Sequence, residues 1–268
     1  LGSTSYKGDG AGEMGDNLAF INISTTSSIV DIEARDYRTC AILSSGELKC
    51  WGYNLGYGIG NGIIDDSYIG TTAGELADAL PVVSLGTGRT IQQVSVRNNF
   101  MCAILDNNQT KCWGSNRYGM GVGSTVFGDE SSELGVNTPE SKISTTEYVI
   151  KLASADYTTC ALLNTGKVKC WGYGYEGRTG QGTTSSVGMY RDEMGDNLAY
   201  VDLGTAVTAK DLVGYSRGFC VITNDDRVKC WGYNGNHQTG YPGGLWCNTV
   251  STCGDNLPYS TLGTGVTI

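Results

Sequence analysis

The sequence holds one histidine, four prolines and four phenylalanines among 268 residues, and it has no run of lysine or arginine. A lone His237 leaves no Cys/His metal set of familiar spacing and no base for a serine or cysteine nucleophile. The carboxylates form no pair that recurs at fixed positions, so an enzyme is not expected and no catalytic residue is assigned. With a formal charge of −9 and a pI near 4.6, neither nucleic acid nor an anionic lipid surface is an expected partner. No apolar run approaches the roughly 18 residues that span a bilayer, and no signal-peptide core opens the chain. Membrane insertion is not expected, and the chain reads as a soluble, processed or partial product.

Glycine and cysteine are present in quantity. Forty glycines against four prolines and 17% charged residues suit a fold dense in tight turns, which favours an all-β chain. Ten cysteines in regular pairs point to an oxidising compartment, extracellular or at the cell surface. Two sequons, Asn22-Ile-Ser24 and Asn108-Gln-Thr110, fit a secretory route and mark Asn22 and Asn108 as glycosylation candidates.

The pairs Cys40/Cys50, Cys102/Cys112, Cys160/Cys170 and Cys220/Cys230 each enclose nine residues and run into Trp-Gly, at Trp51, Trp113, Trp171 and Trp231. Their first members are 62, 58 and 60 residues apart. A second marker keeps the same period: Gly15-Asp-Asn-Leu18, Gly195-Asp-Asn-Leu198 and Gly254-Asp-Asn-Leu257, with weaker forms at Ala77-Asp-Ala-Leu80 and Gly135-Val-Asn-Thr138. Two markers in phase are internal repeats. Within the first repeat, residues 19–23, 29–34, 38–43 and 47–52 read as short strands, and four strands per repeat make a propeller blade.

Placing Cys40 opposite Cys50 leaves the three-residue loop Ser44-Ser45-Gly46, whose last position wants a left-handed residue; the equivalents are Asn108, Gly166 and Asp226. Directly opposed cysteines on antiparallel strands lie within disulfide reach. Each bridge closes a short loop and contributes about 2.5–3 kcal/mol in the chain-entropy picture. A stapled helical hairpin and a metal site are the competing readings, and the turn in every copy and the single histidine argue against them. Cys247 and Cys253, outside the pattern, form either a local bridge or a tie to a neighbouring subunit.

Glycine- and tyrosine-rich tracts follow each Trp-Gly and lead into polar segments, such as residues 63–73 and 124–132, that read as long surface loops. Their tyrosines, Tyr53, Tyr57, Tyr118, Tyr173, Tyr175 and Tyr233, are the binding candidates, as amphipathic anchors. The repeated tryptophans read as blade packing in preference to a stacking platform. Lys49, Lys111, Lys169 and Lys229 precede the second cysteine in every copy; the expectation is a stem packed between blades with a solvated head, a functional cationic ring being the alternative. No cofactor is called for. Acids near the markers and in the loops, including Asp9, Glu13, Asp16, Asp192, Glu193 and Asp196, either ligate calcium or cap their own turns.

The pattern Thr-Cys-Ala-Leu-Leu-x-x-Gly-x-Val-Lys-Cys-Trp-Gly-Tyr, with Met-Gly-Asp-Asn-Leu and Val-Asp-Leu-Gly between copies, resembles the RCC1-like (regulator of chromosome condensation) repeat superfamily, and more narrowly its secreted, cysteine-paired branch. The resemblance covers essentially the whole chain and implies a β-propeller, usually seven-bladed, with a protein-interaction role and no hydrolytic chemistry. Four hairpins in place of seven, together with the acidity and the cysteine pairs, argue against a chromatin-bound exchange role. The expected fold is all-β, about four four-stranded RCC1-like blades, with residues 1–268 as one repeat domain. The repeats are flanked by spare pieces, residues 1–17 and 258–262. A closed four-bladed ring, part of a longer propeller and an open array pairing head-to-tail with its own copies all remain open. The expected function is an extracellular, non-catalytic scaffold whose partners are other proteins or copies of itself; the alternative is a module that binds or inhibits a distinct protein or glycan.

Overall fold

In a computed structural model, described over residues 7–54, 58–62, 67–97, 100–115, 120–123, 126–127, 132–242 and 244–260, the chain forms four antiparallel sheets joined by irregular segments and short 3-10 turns. The first contains β1 (Ile29–Arg35), β2 (Arg38–Leu43), β3 (Leu48–Tyr53) and β4 (Tyr68–Ile69). The second contains β5 (Ile91–Val96), β6 (Phe100–Leu105), β7 (Thr110–Ser115) and β8 (Val126–Phe127). The third has β9 (Val149–Ala155), β10 (Thr158–Leu163) and β11 (Val168–Gly172), with Val187 bridging Gly172 where a fourth strand would lie. The fourth has β12 (Ala209–Tyr215), β13 (Gly218–Thr223), β14 (Val228–Tyr233) and β15 (Leu245–Trp246). Each is a meander in sequence order, as in a propeller blade.

The hairpin register follows from the cysteines and the turn. Cys40 opposes Cys50, Cys102 opposes Cys112, Cys160 opposes Cys170 and Cys220 opposes Cys230. The loop position expected to be left-handed is so in all four blades, with φ of 82° at Gly46, 63° at Asn108, 78° at Gly166 and 59° at Asp226. The glycine of each Trp-Gly has a stricter requirement. Gly52, Gly114, Gly172 and Gly232 have φ between 100° and 113°, and a Cβ on Gly52 would lie 2.2 Å from the Tyr37 carbonyl oxygen. Only glycine lets the strand pass that carbonyl.

Two strand expectations need correction. Residues 19–23 are not a strand of the first blade. Their equivalents one repeat on, Val82, Glu140, Tyr200 and Tyr259, bridge Lys49, Lys111, Lys169 and Lys229 in the preceding blade. The final copy is therefore paired, and the first, with Phe20 fully exposed, has no such bridge among the described residues. The fourth strand comes instead from the segments read as loops: two residues suffice, because Tyr68 and Ile69 pair with the Tyr53 end of β3 while Val83 donates to the Leu48 carbonyl at the other end.

The blades stack face to face with the first strands innermost. One face of blade 1, with Cys40, Ile42 and Leu48, packs on Val94, Met101 and Ala103 of blade 2. Blade 2 turns Phe100 and Ile104 to Leu152 and Ala161 of blade 3, and blade 3 turns Leu162 and Val168 to Leu212, Phe219 and Val221 of blade 4. Among the described residues the arc does not close on itself through such a contact; blade 1 meets blade 4 where the Arg35 guanidinium donates to the Gly214 carbonyl at 3.1 Å. Ile32 opposes Ala41 as Val94 opposes Ala103, yet Ile32 is 58% exposed where Val94, Leu152 and Leu212 are at most 2%. At the other end Val213 is 59% exposed, and Ile222 and Val228 on the same face are half-buried.

Replacing Gly232, whose added Cβ would meet the Arg217 carbonyl oxygen at 2.5 Å, with alanine is expected to cost about 2–4 kcal/mol from left-handed strain plus the clash. Urea denaturation of Gly232→Ala against the parent measures it.

Candidate interaction surfaces

The lysines of the second hairpin strand hold the repeats together. On the strand face opposite the cysteines, each ammonium passes under the marker turn of the next repeat and donates to two carbonyls. Lys49 reaches Ile23 and Ala77 at 3.1 and 2.7 Å, Lys111 reaches Leu85 and Gly135 at 2.8 and 3.0 Å, Lys169 reaches Ile143 and Gly195 at 3.2 and 2.8 Å, and Lys229 reaches Leu203 and Gly254 at 2.7 and 3.0 Å. All four side chains are buried. The expectation of a solvated head is therefore wrong: the charge sits between the carbonyl of the entering segment, which accepts no backbone amide among the described residues, and the marker carbonyl, which also accepts the amide three residues on. Burial holds the Lys111, Lys169 and Lys229 ammoniums below the usual lysine range.

The marker turns complete the joint. The amides of Ala77, Gly135, Gly195 and Gly254 donate to the carbonyls of Asn22, Ser84, Lys142 and Asp202 at 2.8–3.0 Å. At three joints the second marker residue is an aspartate that accepts from both the amide and the hydroxyl of one threonine. The amide distances are 3.1 Å for Thr25 to Asp78, 3.1 Å for Thr145 to Asp196 and 2.7 Å for Thr205 to Asp255, and the hydroxyl bonds complete each pair. Those threonine hydrogen bonds, helped by the nearby lysine, hold all three carboxyls below the usual range. Both contacts were missed from sequence, although the signal was there: a lysine in every copy and a Ser/Gly-Thr pair one repeat before each marker.

The ten cysteines lie as five pairs at disulfide bonding distance, with Cα separations of 4.0–4.1 Å in the hairpins and 4.5 Å for the local pair Cys247 and Cys253. Trp113, Trp171 and Trp231 are fully buried. The indoles of Trp113 and Trp231 donate to the Gly58 and Arg178 carbonyls of the preceding repeat at 3.0 Å each. Tyrosine candidates are less uniform. Tyr53 is half-buried and stacks on Tyr68 with ring centres 4.7 Å apart, Tyr173 lies 6.0 Å from the exposed Tyr175, and Tyr233 carries the Arg217 guanidinium 4.6 Å over its ring. Tyr57 and Tyr118 lie outside the described residues. Among the described residues these tyrosines make separate contacts in the first, third and fourth blades: with another tyrosine in the first and third, and with an arginine in the fourth.

Asn22 and Asn108 are both exposed. Several acids considered for calcium turn onto backbone amides: Glu13 accepts from Gly8 and Gly10, and Glu193 from Met189 and Tyr190. No group of three metal-ligating side chains occurs among the described residues.

At the centre, the inner strands line a cleft of about 380 Å³ whose polar groups tie neighbouring blades. Gln93 donates to the Leu152 carbonyl at 2.9 Å and accepts its amide at 2.8 Å; the Ser95 and Ser154 hydroxyls are 3.0 Å apart. Arg38 donates to the Arg97 carbonyl at 2.9 Å, and burial brings the Arg97 guanidinium down to about 10. Burial also raises the carboxyl of Glu33, which accepts the Val96 amide at 3.2 Å. These groups cross-link strands and present no nucleophile beside a base.

Stacked four-strand meanders with repeated joints define a propeller-type repeat protein. The sequence signature described as the regulator of chromosome condensation (RCC1) repeat matches residues 149–178 and 210–238. The chain is 27% identical over 221 residues to the E3 ubiquitin-protein ligase HERC2 of Mus musculus, covering 81% of this chain and 4% of that protein. It is 26% identical over 218 residues to the mitochondrial RCC1 domain-containing protein RUG3 of Arabidopsis thaliana, covering 76% and 42%. Yeast RCC1 (Prp20), solved bound to Kap60, superposes with a TM-score of 0.64 at 17% identity over 90% of this chain and 50% of that one. The chain thus spans less than half the length of these two relatives. Its repeats are similar to the RCC1 repeat, and it shares the propeller fold of yeast RCC1. The cysteine pairing suits an oxidising compartment, and no helix among the described residues is long and apolar enough to cross a membrane.

Lys169→Met keeps the stem but strands the Ile143 carbonyl and leaves Gly195 only its turn bond from the Leu198 amide, and is expected to cost roughly 1–3 kcal/mol, read by chemical denaturation. The marker aspartates add a pH term. A carboxyl held below its ordinary value of 3.8 stabilises above that value, and the stability is lost as pH falls through the lower folded pKa. Thermal melts should therefore fall below about pH 4, and less steeply in Asp196→Asn; an unchanged acid limb in that variant would remove the joint from the explanation.

Proposed function

We propose that the chain is a non-catalytic scaffold of the extracellular space, acting as one repeat domain over residues 1–268 and engaging other proteins, copies of itself among them. The observation that carries this reading is the pair of blade faces left uncovered among the described residues. Ile32 at one end and Val213 at the other are exposed at sheet positions that face the neighbouring blade, and the three internal junctions are the pattern for what covers such faces: another blade of the same kind. A head-to-tail contact of this kind, if it does not close, extends into a filament. The five cysteine pairs and the exposed Asn22 and Asn108 favour a secreted, glycosylated product.

A second reading, a module that binds a distinct protein or glycan, is favoured by the Tyr53–Tyr68 stack, with Tyr68 largely exposed. It predicts a monomer that loses its ligand when Tyr53 or Tyr175 becomes alanine.

Sedimentation velocity over a concentration series separates the two. Self-assembly predicts species above the 28.4 kDa monomer that disappear in Ile32→Asp and in Val213→Asp; a single monomeric boundary at every concentration rejects it.

A further inference from the structure

The second joint breaks the rule of the other three. Where Asp78, Asp196 and Asp255 clasp a threonine, the equivalent marker residue is Val136, and among the described residues neither the amide nor the hydroxyl of its threonine, Thr87, has a protein partner. The backbone of the joint is otherwise intact: Gly135 still donates to Ser84 at 2.9 Å, Lys111 still donates to Leu85 and Gly135, and Asn137 still donates to Ser132 at 2.7 Å. What is missing is one carboxylate.

Its place is occupied by a cavity of about 650 Å³ that Thr87, Arg89, Lys111, Val136, Glu140 and Arg191 help to line. Three cations face one acid. Arg89 is shared with Asp106 at 3.5 Å on the rim; Arg191 spends its Nε on the Val122 carbonyl at 3.0 Å; Glu140 accepts from Gln109 at 3.3 Å. Lys111 is buried, and its ammonium lies 4.0 Å from where a Cβ on Gly86 would stand, next to Thr87. At the first, third and fourth joints the corresponding lysine has an aspartate in its field, whereas here Glu140 alone supplies that field. Val136 itself is 69% exposed, an apolar rim beside a cationic floor.

We infer that the second joint is a receptor for a carboxylate carried by a partner protein, an aspartate or glutamate side chain that completes from outside the clasp the other joints complete from within. The Thr87 amide and hydroxyl would donate to its two oxygens as Thr205 does to Asp255, and Lys111, Arg89 and Arg191 would supply the charge. The inference rests on the protein-binding reading only in naming a protein as the source of the carboxylate.

The test is titration of the whole chain with N-acetyl-aspartate N-methylamide, following the Thr87 amide in ¹H–¹⁵N spectra. A saturable shift with a roughly millimolar dissociation constant is expected, at least about tenfold weaker for the uncharged asparagine analogue. Val136→Asp should supply the clasp internally: its Thr87 amide is already displaced without ligand, the titration is lost, and the melting temperature rises by about 2 °C. Equal response to the two analogues, or a titration that survives in Val136→Asp, overturns the assignment; so does inorganic phosphate binding more tightly than the aspartate probe. Val136 is remote in sequence from Ile32 and Val213 and belongs to neither terminal face, so the two ideas fail separately. Self-association without a Thr87 titration removes the receptor alone, and a Thr87 titration in a strict monomer removes self-assembly alone.

Discussion

The architecture depends on a buried ammonium shared by two carbonyls, one from the segment that enters its blade and one from the marker turn of the next repeat. An isolated lysine head is costly to take out of water, and the carbonyl of the entering segment has no backbone donor among the described residues. Each cost offsets the other at the same place, four times, with nitrogen to oxygen distances between 2.7 and 3.2 Å. Because the lysine belongs to the hairpin and the carbonyls to segments before and after it, the contact fixes where the chain enters and leaves every blade. Tryptophan does the same for the neighbouring blade, burying its ring and donating to a loop one repeat earlier.

On the proposed reading, function follows from what that arrangement leaves uncovered. Internal blades bury both faces, and among the described residues the terminal ones present a face each, on which Ile32 and Val213 are exposed. The inner cleft is spent on cross-links such as Gln93 to Leu152 and Ser95 to Ser154, and the rim carries aromatic pairs.

Much of the fold was legible because the cysteine spacing fixes a register and the register fixes a turn, which the residues at 46, 108, 166 and 226 then satisfy. The outermost strand was not legible. It is two residues long and drawn from a polar loop, with its remainder supplied by the next repeat, and neither piece carries an alternation of its own. The lysines were placed on the correct face but given the wrong surroundings, because alternation says which side a residue takes and not what packs there. Of the binding candidates, the tyrosines were legible as types, yet sequence offered no hint that Tyr53 would lie on Tyr68 while Tyr173 would take the Arg178 guanidinium over its ring. Val136 was visible all along as a weaker marker, and its meaning appears only when the threonine one repeat earlier is brought beside it.

The covalent and non-covalent ties run in different directions. Every cysteine pair closes within its own hairpin or loop, ten or six residues apart, whereas the lysine, tryptophan and threonine contacts run from repeat to repeat around the arc. Oxidation therefore needs no long-range topology to choose partners, and a hairpin can lock its thiols before any blade has met another. Reducing agents, by the same separation, would slacken individual blades while leaving the circumferential ties chemically untouched, so the redox state of the surroundings governs the stiffness of the units and not the order in which they are strung.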